Sequence, residues 1–227
     1  MEHVHPARRS LLSGVGAAIA AIALGPKQAA AQSPAGGFQP ARHEQDEWMT
    51  RLPGKHRTII DCATVSGAGE GMLYANNLYL GNRNGYQLNE SDVAVVVCLR
   101  HLATAFAYND AIWGKYGQAL SSFLQFVDPK TKQVPATNLL NSSDYGRALP
   151  NNGISIPSVV KRGTHFAVCE MATRRISGQV AAAVKGDPQA LFKELSANLI
   201  PNGHLVAAGV VAVNRAQEFG YTLLSAL

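Results

Sequence analysis

The feature that most constrains this chain is a repeated order of elements: a short β-branched and apolar run, then a longer stretch with helical spacing. Thr58-Ile59-Ile60-Asp61-Cys62-Ala63-Thr64-Val65 within Arg57 to Val65, and the valine-rich run with Ala94 from Asp92 to Cys98, show little polar alternation. Strands buried on both faces read this way. After the first run comes a Gly-rich turn, Ser66-Gly67-Ala68-Gly69. Met72, Leu73, Ala75, Leu78 and Tyr79 then recur at helical spacing until Gly81 and Asn82 supply a stop.

The order recurs down the chain. Leu99 to Tyr116 suits a helix starting after His101, and Thr164 to Cys169 is a short apolar run followed by the helical Glu170 to Val184. Asp187-Pro188 caps a short helix through Leu195, His204 to Ala208 reads as a strand, Gly209 to Phe219 as a helix, and Tyr221 to Ser225 as a closing strand. Strands alternating with helices require right-handed crossovers and a parallel sheet covered on both sides. The expected class is α/β, an open and mainly parallel sheet of about five strands with doubly wound, flavodoxin-like layering. Between about residues 117 and 157, turn chemistry such as Asp128-Pro129 and Asn151-Asn152-Gly153 predicts a long loop.

The N-terminus has the three parts of an export signal: a basic start ending in Arg8-Arg9, an apolar run from Leu11 to Leu24, and the small exit Ala29-Ala30-Ala31. The run of roughly 14 residues falls short of the ~20 that span a bilayer, so no stable membrane span is expected after cleavage. Arg8-Arg9 before Ser10-Leu11-Leu12, the weakly hydrophobic run and Lys27 resemble a twin-arginine signal, which implies a periplasmic protein. Residues 32–56 read as a linker ending in a short helix, with Trp48 and Met49 the residues able to dock.

Charge excludes one class of partner. The formal net charge is +5, and loss of Arg8, Arg9 and Lys27 against Glu2 lowers it to +3. No basic stripe remains for nucleic acid. Cys62, Cys98 and Cys169 are an odd number for an oxidising compartment, and none has a partner at zinc-site spacing.

In an open parallel sheet the usable crevice lies beyond the carboxyl ends of the strands. That rule selects Ser66 to Glu70, Cys98 to His101, and Cys169 to Arg174. Cys169 stands out because it joins a strand to a helix, where amide dipoles and a nearby cation favour a charged sulfur; of Arg174 and Arg175 only one can face the site, and Arg174 is the expected binding residue. Packing is the competing reading, since cysteine is among the most buried residue types. His101 could serve as base or cation beside it, or cap the next helix. Arg100 could meet an anionic sulfur species or a carboxylate. Cys98 and Cys62 read as core. Ser66 and Gly67 could offer amides to a phosphate, but the segment lacks the spacing of a dinucleotide fingerprint and the Lys-Ser/Thr of a P-loop, so neither cofactor nor metal is expected.

The segment Val168-Cys169-Glu170-Met171-Ala172-Thr173-Arg174-Arg175-Ile176 and the later Leu199-Ile200-Pro201-Asn202-Gly203-His204-Leu205-Val206-Ala207-Ala208-Gly209-Val210 resemble the DsrE/DsrF-like family of sulfur-handling proteins. Arg100 to Asp110 resembles a signature of that family's exported branch. The likeness covers roughly Arg57 to Leu227 apart from the long loop. It implies a homo-oligomer in which Cys169 carries sulfur as a persulfide, with a small sulfur compound or a partner thiol protein as donor or acceptor. The export signal and long loop depart from the cytoplasmic members. A second reading keeps the fold as a non-catalytic oligomeric binding or interaction module with all three cysteines buried. A metal or haem binder using His101 or His165 is the third. Phe123, Leu124, Phe126 and Val127 form an apolar stretch with no evident place in the core, which points to a subunit contact.

Overall fold

The computed structural model describes residues 39–226; the leader expected over 1–31 and the first part of the linker lie outside the described residues. Five strands, β1 (His56–Cys62), β2 (Val93–Leu99), β3 (His165–Cys169), β4 (Gly203–Val206) and β5 (Thr222–Ala226), form one sheet in the order β4-β3-β2-β1-β5. Every neighbouring pair is parallel. This is the open α/β architecture that the alternating sequence requires. β2 occupies the centre, and all seven of its residues are buried.

From β1 to β4 the chain steps across the sheet in one direction. The last crossover then returns from one edge to the other. Right-handed crossovers running in opposite directions place their helices on opposite faces. Helices α2 (Val65–Tyr86), α3 (Asp110–Leu124), α4 (Ile156–Lys161), α5 (Glu170–Val184) and α6 (Pro188–Ala197) accordingly contribute to a core built on Ile60, Val95, Val97, Phe166 and Val168. The other face, built on Ile59, Val96, Cys98 and Ala167, is covered by α7 (Gly209–Glu218) and by α1 (Glu47–Arg51).

Ser66-Gly67-Ala68-Gly69 is not a turn but the opening of α2, which starts at Val65 because the Oγ1 of Thr64 accepts the Gly67 amide at 2.8 Å. The glycines permit close approach to the sheet: a Cβ on Gly71 would lie 2.5 Å from the sulfur of Cys62. Gly81 and Asn82 do not end the helix either. It continues to Tyr86 and closes at Gln87, whose φ is 58°. A helix already several turns long tolerates one glycine at a cost of about 1 kcal/mol.

The crossover from β2 to β3 also departs from expectation. Residues His101–Ala107 form a 3-10 stretch, and α3 begins only at Asp110, where the Asn109 side chain accepts the Ile112 amide. α3 then runs to Leu124, so the irregular segment starts about eight residues later than predicted. Leu124 is buried and Phe123 and Phe126 pack on the main core, which leaves Val127 as the exposed member of that apolar stretch. Buried Asn138 ties the segment down by donating to the carbonyls of Phe106 and Tyr108 at 2.8 and 3.0 Å.

The helical end of the N-terminal stretch belongs to the packed unit. Met49 is fully buried in the second core. Its carbonyl accepts from Tyr221 Oη at 2.7 Å and from Arg57 Nη1 at 3.1 Å. No helix among the described residues is long and apolar enough to cross a membrane.

Candidate functional site

β3 delivers Cys169 to the carboxyl edge of the sheet and α5 begins with the next residue, so the cysteine is the N-cap. Its sulfur accepts the Ala172 amide at 3.4 Å. Its carbonyl accepts the Thr173 hydroxyl at 3.0 Å, and Thr173 in turn accepts the phenol of buried Tyr108 at 3.1 Å. These bonds fix the backbone that aims the side chain.

Parallel register supplies the neighbour. Leu99 pairs with Val168, so Arg100 and Cys169, each the next residue along, leave the sheet side by side. Arg100 is held by a bidentate bridge to Asp61 at 2.6 and 2.8 Å. That carboxylate raises the Arg100 pKa and matches its charge.

Cys169 keeps 7% of its surface, and it lines a solvent-open cavity of about 300 Å³ with Arg100, His101, Phe123, Met171, Arg175, Gly209 and Val210. The floor depends on Gly209, where a Cβ would lie 2.5 Å from Cβ of Arg100 and 3.2 Å from the sulfur of Cys98. The N-cap of α7 is Ala208, which has no side-chain acceptor for the first amides of that helix. Two helix N-termini thus meet at one cavity, and their dipoles favour an anion there.

The cations divide by partner. Arg174 reaches back to Glu170 with bonds of 2.8 and 2.6 Å and stacks over Phe192, outside the cavity lining. Arg175 lines the cavity, stacks 5.5 Å over Phe123, and has no carboxylate partner among the described residues. His101 is exposed at the cavity, in a left-handed conformation with φ 52°. Cys169, His101 and Arg100 are therefore brought together. Ser66 and Gly67 are not: Ser66 lines a separate cavity of about 350 Å³ with Phe106, Phe126 and Leu149, and Gly67 packs against the Ala226 carbonyl.

Chain comparison adds no relative. Protein-family models, curated proteins and solved structures give no match to this chain.

The other two cysteines have a different environment. Cys62 and Cys98 are fully buried, and burial pushes both thiols well above the usual range. Cys98 donates to the Gly209 carbonyl at 3.5 Å. Among the described residues, no group of three or more His, Cys, Asp or Glu side chains could hold a metal. His165 lies at the opposite end of β3 from Cys169, about 13 Å away at ordinary strand rise.

Sequence reasoning missed Asp61 and chose Arg174 as the binding cation, whereas Arg175 lines the cavity and Arg174 is turned away onto Glu170 and Phe192. The Asp61 contact follows from strand order, which the sequence does not reveal. For Arg175 a signal existed: Glu170 and Arg174 are an i,i+4 pair, which engages Arg174 and leaves its neighbour free.

Proposed function

We propose that this chain is an exported DsrE-like protein of sulfur or thiol metabolism in which Cys169 carries sulfur as a persulfide. The observation that carries the reading is the placement of Cys169 at the rim of an open cavity, with its sulfur on a helix amide, Arg100 alongside and Arg175 across the lining. The family likeness of the sequence around Cys169 supports it. Periplasmic location rests on the twin-arginine resemblance of the leader.

The chemistry needs no added oxidant. The Cys169 thiolate attacks the outer, sulfane sulfur of a donor; a new S–S bond forms as the donor's own bond to that sulfur breaks, and the donor leaves as an anion. A second thiolate then attacks the terminal sulfur and releases Cys169 as thiolate. Amide dipoles and cations stabilise the negative sulfur at each stage. His101 is placed to supply or hold a proton at the mouth. A homo-oligomer belongs to the same reading through the family likeness, and light scattering at micromolar concentration tests it.

Native thiol labelling followed by peptide mass analysis separates this reading from a non-catalytic binding module. Cys169 labels in the folded protein while Cys62 and Cys98 label only after unfolding, and incubation with a sulfane-sulfur donor adds one sulfur atom to the Cys169 peptide. A Cys169 that resists alkylation until the protein unfolds removes the carrier role.

A further inference from the structure

The cavity at Cys169 is mixed in character, and that mixture defines what fits. Phe123, Met171 and Val210 supply apolar surface, with Met171 67% and Val210 61% exposed at its mouth. Large apolar side chains standing in water beside a cavity gain by covering a ligand's apolar body. The positive side is set by elimination. Asp61 satisfies Arg100 and Glu170 satisfies Arg174, so Arg175 and the uncapped amides of α7 are left to receive an anion.

We propose that the sulfur donor of this site is an organic sulfane-sulfur compound with one anionic head and an apolar body, such as an aryl or alkyl thiosulfonate, rather than inorganic thiosulfate. This rests on the persulfide role of Cys169. The anionic head sits between Arg175 and the N-terminus of α7, the body lies on Phe123, Met171 and Val210, and the sulfane sulfur faces Cys169. A volume of about 300 Å³ is at the small end of ligand cavities and accommodates one aromatic ring with its head group. In the transfer, the Cys169 thiolate bonds to the sulfane sulfur, the sulfonyl–sulfur bond breaks, and the sulfinate leaves with that bond's electron pair. Two single negative charges enter and two leave.

The test compares benzenethiosulfonate with thiosulfate at equal concentration, following the one-sulfur mass gain on the Cys169 peptide. Each rate is divided by the rate of the same donor with free cysteine, which removes intrinsic reactivity. The expected result is a preference of roughly tenfold for the aryl donor, the scale that burial of an apolar ring gives. The double variant Met171→Ser, Val210→Ser should abolish the preference by slowing the aryl donor, and both side chains are exposed, so the core stays intact. Arg175→Gln should slow both donors through a raised half-saturating concentration. Equal normalised rates, or a preference that survives the double variant, overturn the substrate class while leaving the persulfide role standing. No sulfur gain from either donor overturns the persulfide role itself.

Discussion

The Nδ1 of His165 and the Nε2 of His204 lie 2.9 Å apart on adjacent strands, with Trp48 stacked on the second ring at a centroid distance of 3.9 Å. One ring must donate and the other accept, which requires both imidazoles to be neutral or a single proton to be shared. Burial, and then the neighbouring His165, lowers the His204 pKa to about 4, and burial lowers that of His165.

This pair sets a pH dependence of stability. In the unfolded chain an imidazole protonates near pH 6.5, whereas folded His204 resists until about 4. Between those values the unfolded state binds more protons, so stability present above about pH 6.5 is lost as pH falls toward 4. Denaturation midpoints measured across that window should decline, and His204→Gln should flatten the decline. A wild-type protein whose midpoint stays level across the window would remove the coupling.

Asp61→Asn removes the carboxylate from a partly buried Arg100. The expected cost is about 2 kcal/mol, because an ionic hydrogen-bonded pair loses one member while the other stays in place. Urea denaturation reads the loss. The same variant frees Arg100 beside Cys169, so sulfur loading from an anionic donor should tolerate the change better than stability does.

Gly71→Ala and Gly209→Ala both overfill tight contacts but separate in outcome. At Gly71 the new methyl meets Cys62 and Val97 in the main core, with an expected cost of about 1–3 kcal/mol and no effect on Cys169 alkylation in protein that remains folded. At Gly209 it meets Arg100 and Cys98 beneath the cavity. That variant should slow native alkylation of Cys169 several-fold, read as a rate constant in protein verified as folded by circular dichroism.

Much of this fold is written locally. Valine-rich Val93–Leu99 can bury both its faces only as a central strand, and the cysteine at the junction of β3 and α5 is visible from the change of period there. Glycine misled at α2. Read alone, Ser66-Gly67-Ala68-Gly69 is turn chemistry, but its value lies in the missing side chains that let the helix approach β1, β2 and β5, a reason that exists only after packing. The same distinction divides the site. Cys169 and His101 follow from position along the chain, whereas Asp61 against Arg100 needs the order of strands. The meeting of His165, His204 and Trp48 needs, in addition, the path of the N-terminal stretch across the second face.

That path bears on where the gene product can be shortened. Arg57 gathers carbonyls from Met49, Leu52 and Gly54, and Met49 is fully buried against the sheet residues and α7 of the second core. A version starting at Arg57 would begin at the first conspicuous strand yet uncover Ile59, Val96 and Ala167 to water. A version lacking residues 1–31 keeps Met49 and the rest of α1. The shortest version that keeps this packing therefore begins before Glu47, several residues upstream of the point that hydrophobic patterning alone would recommend.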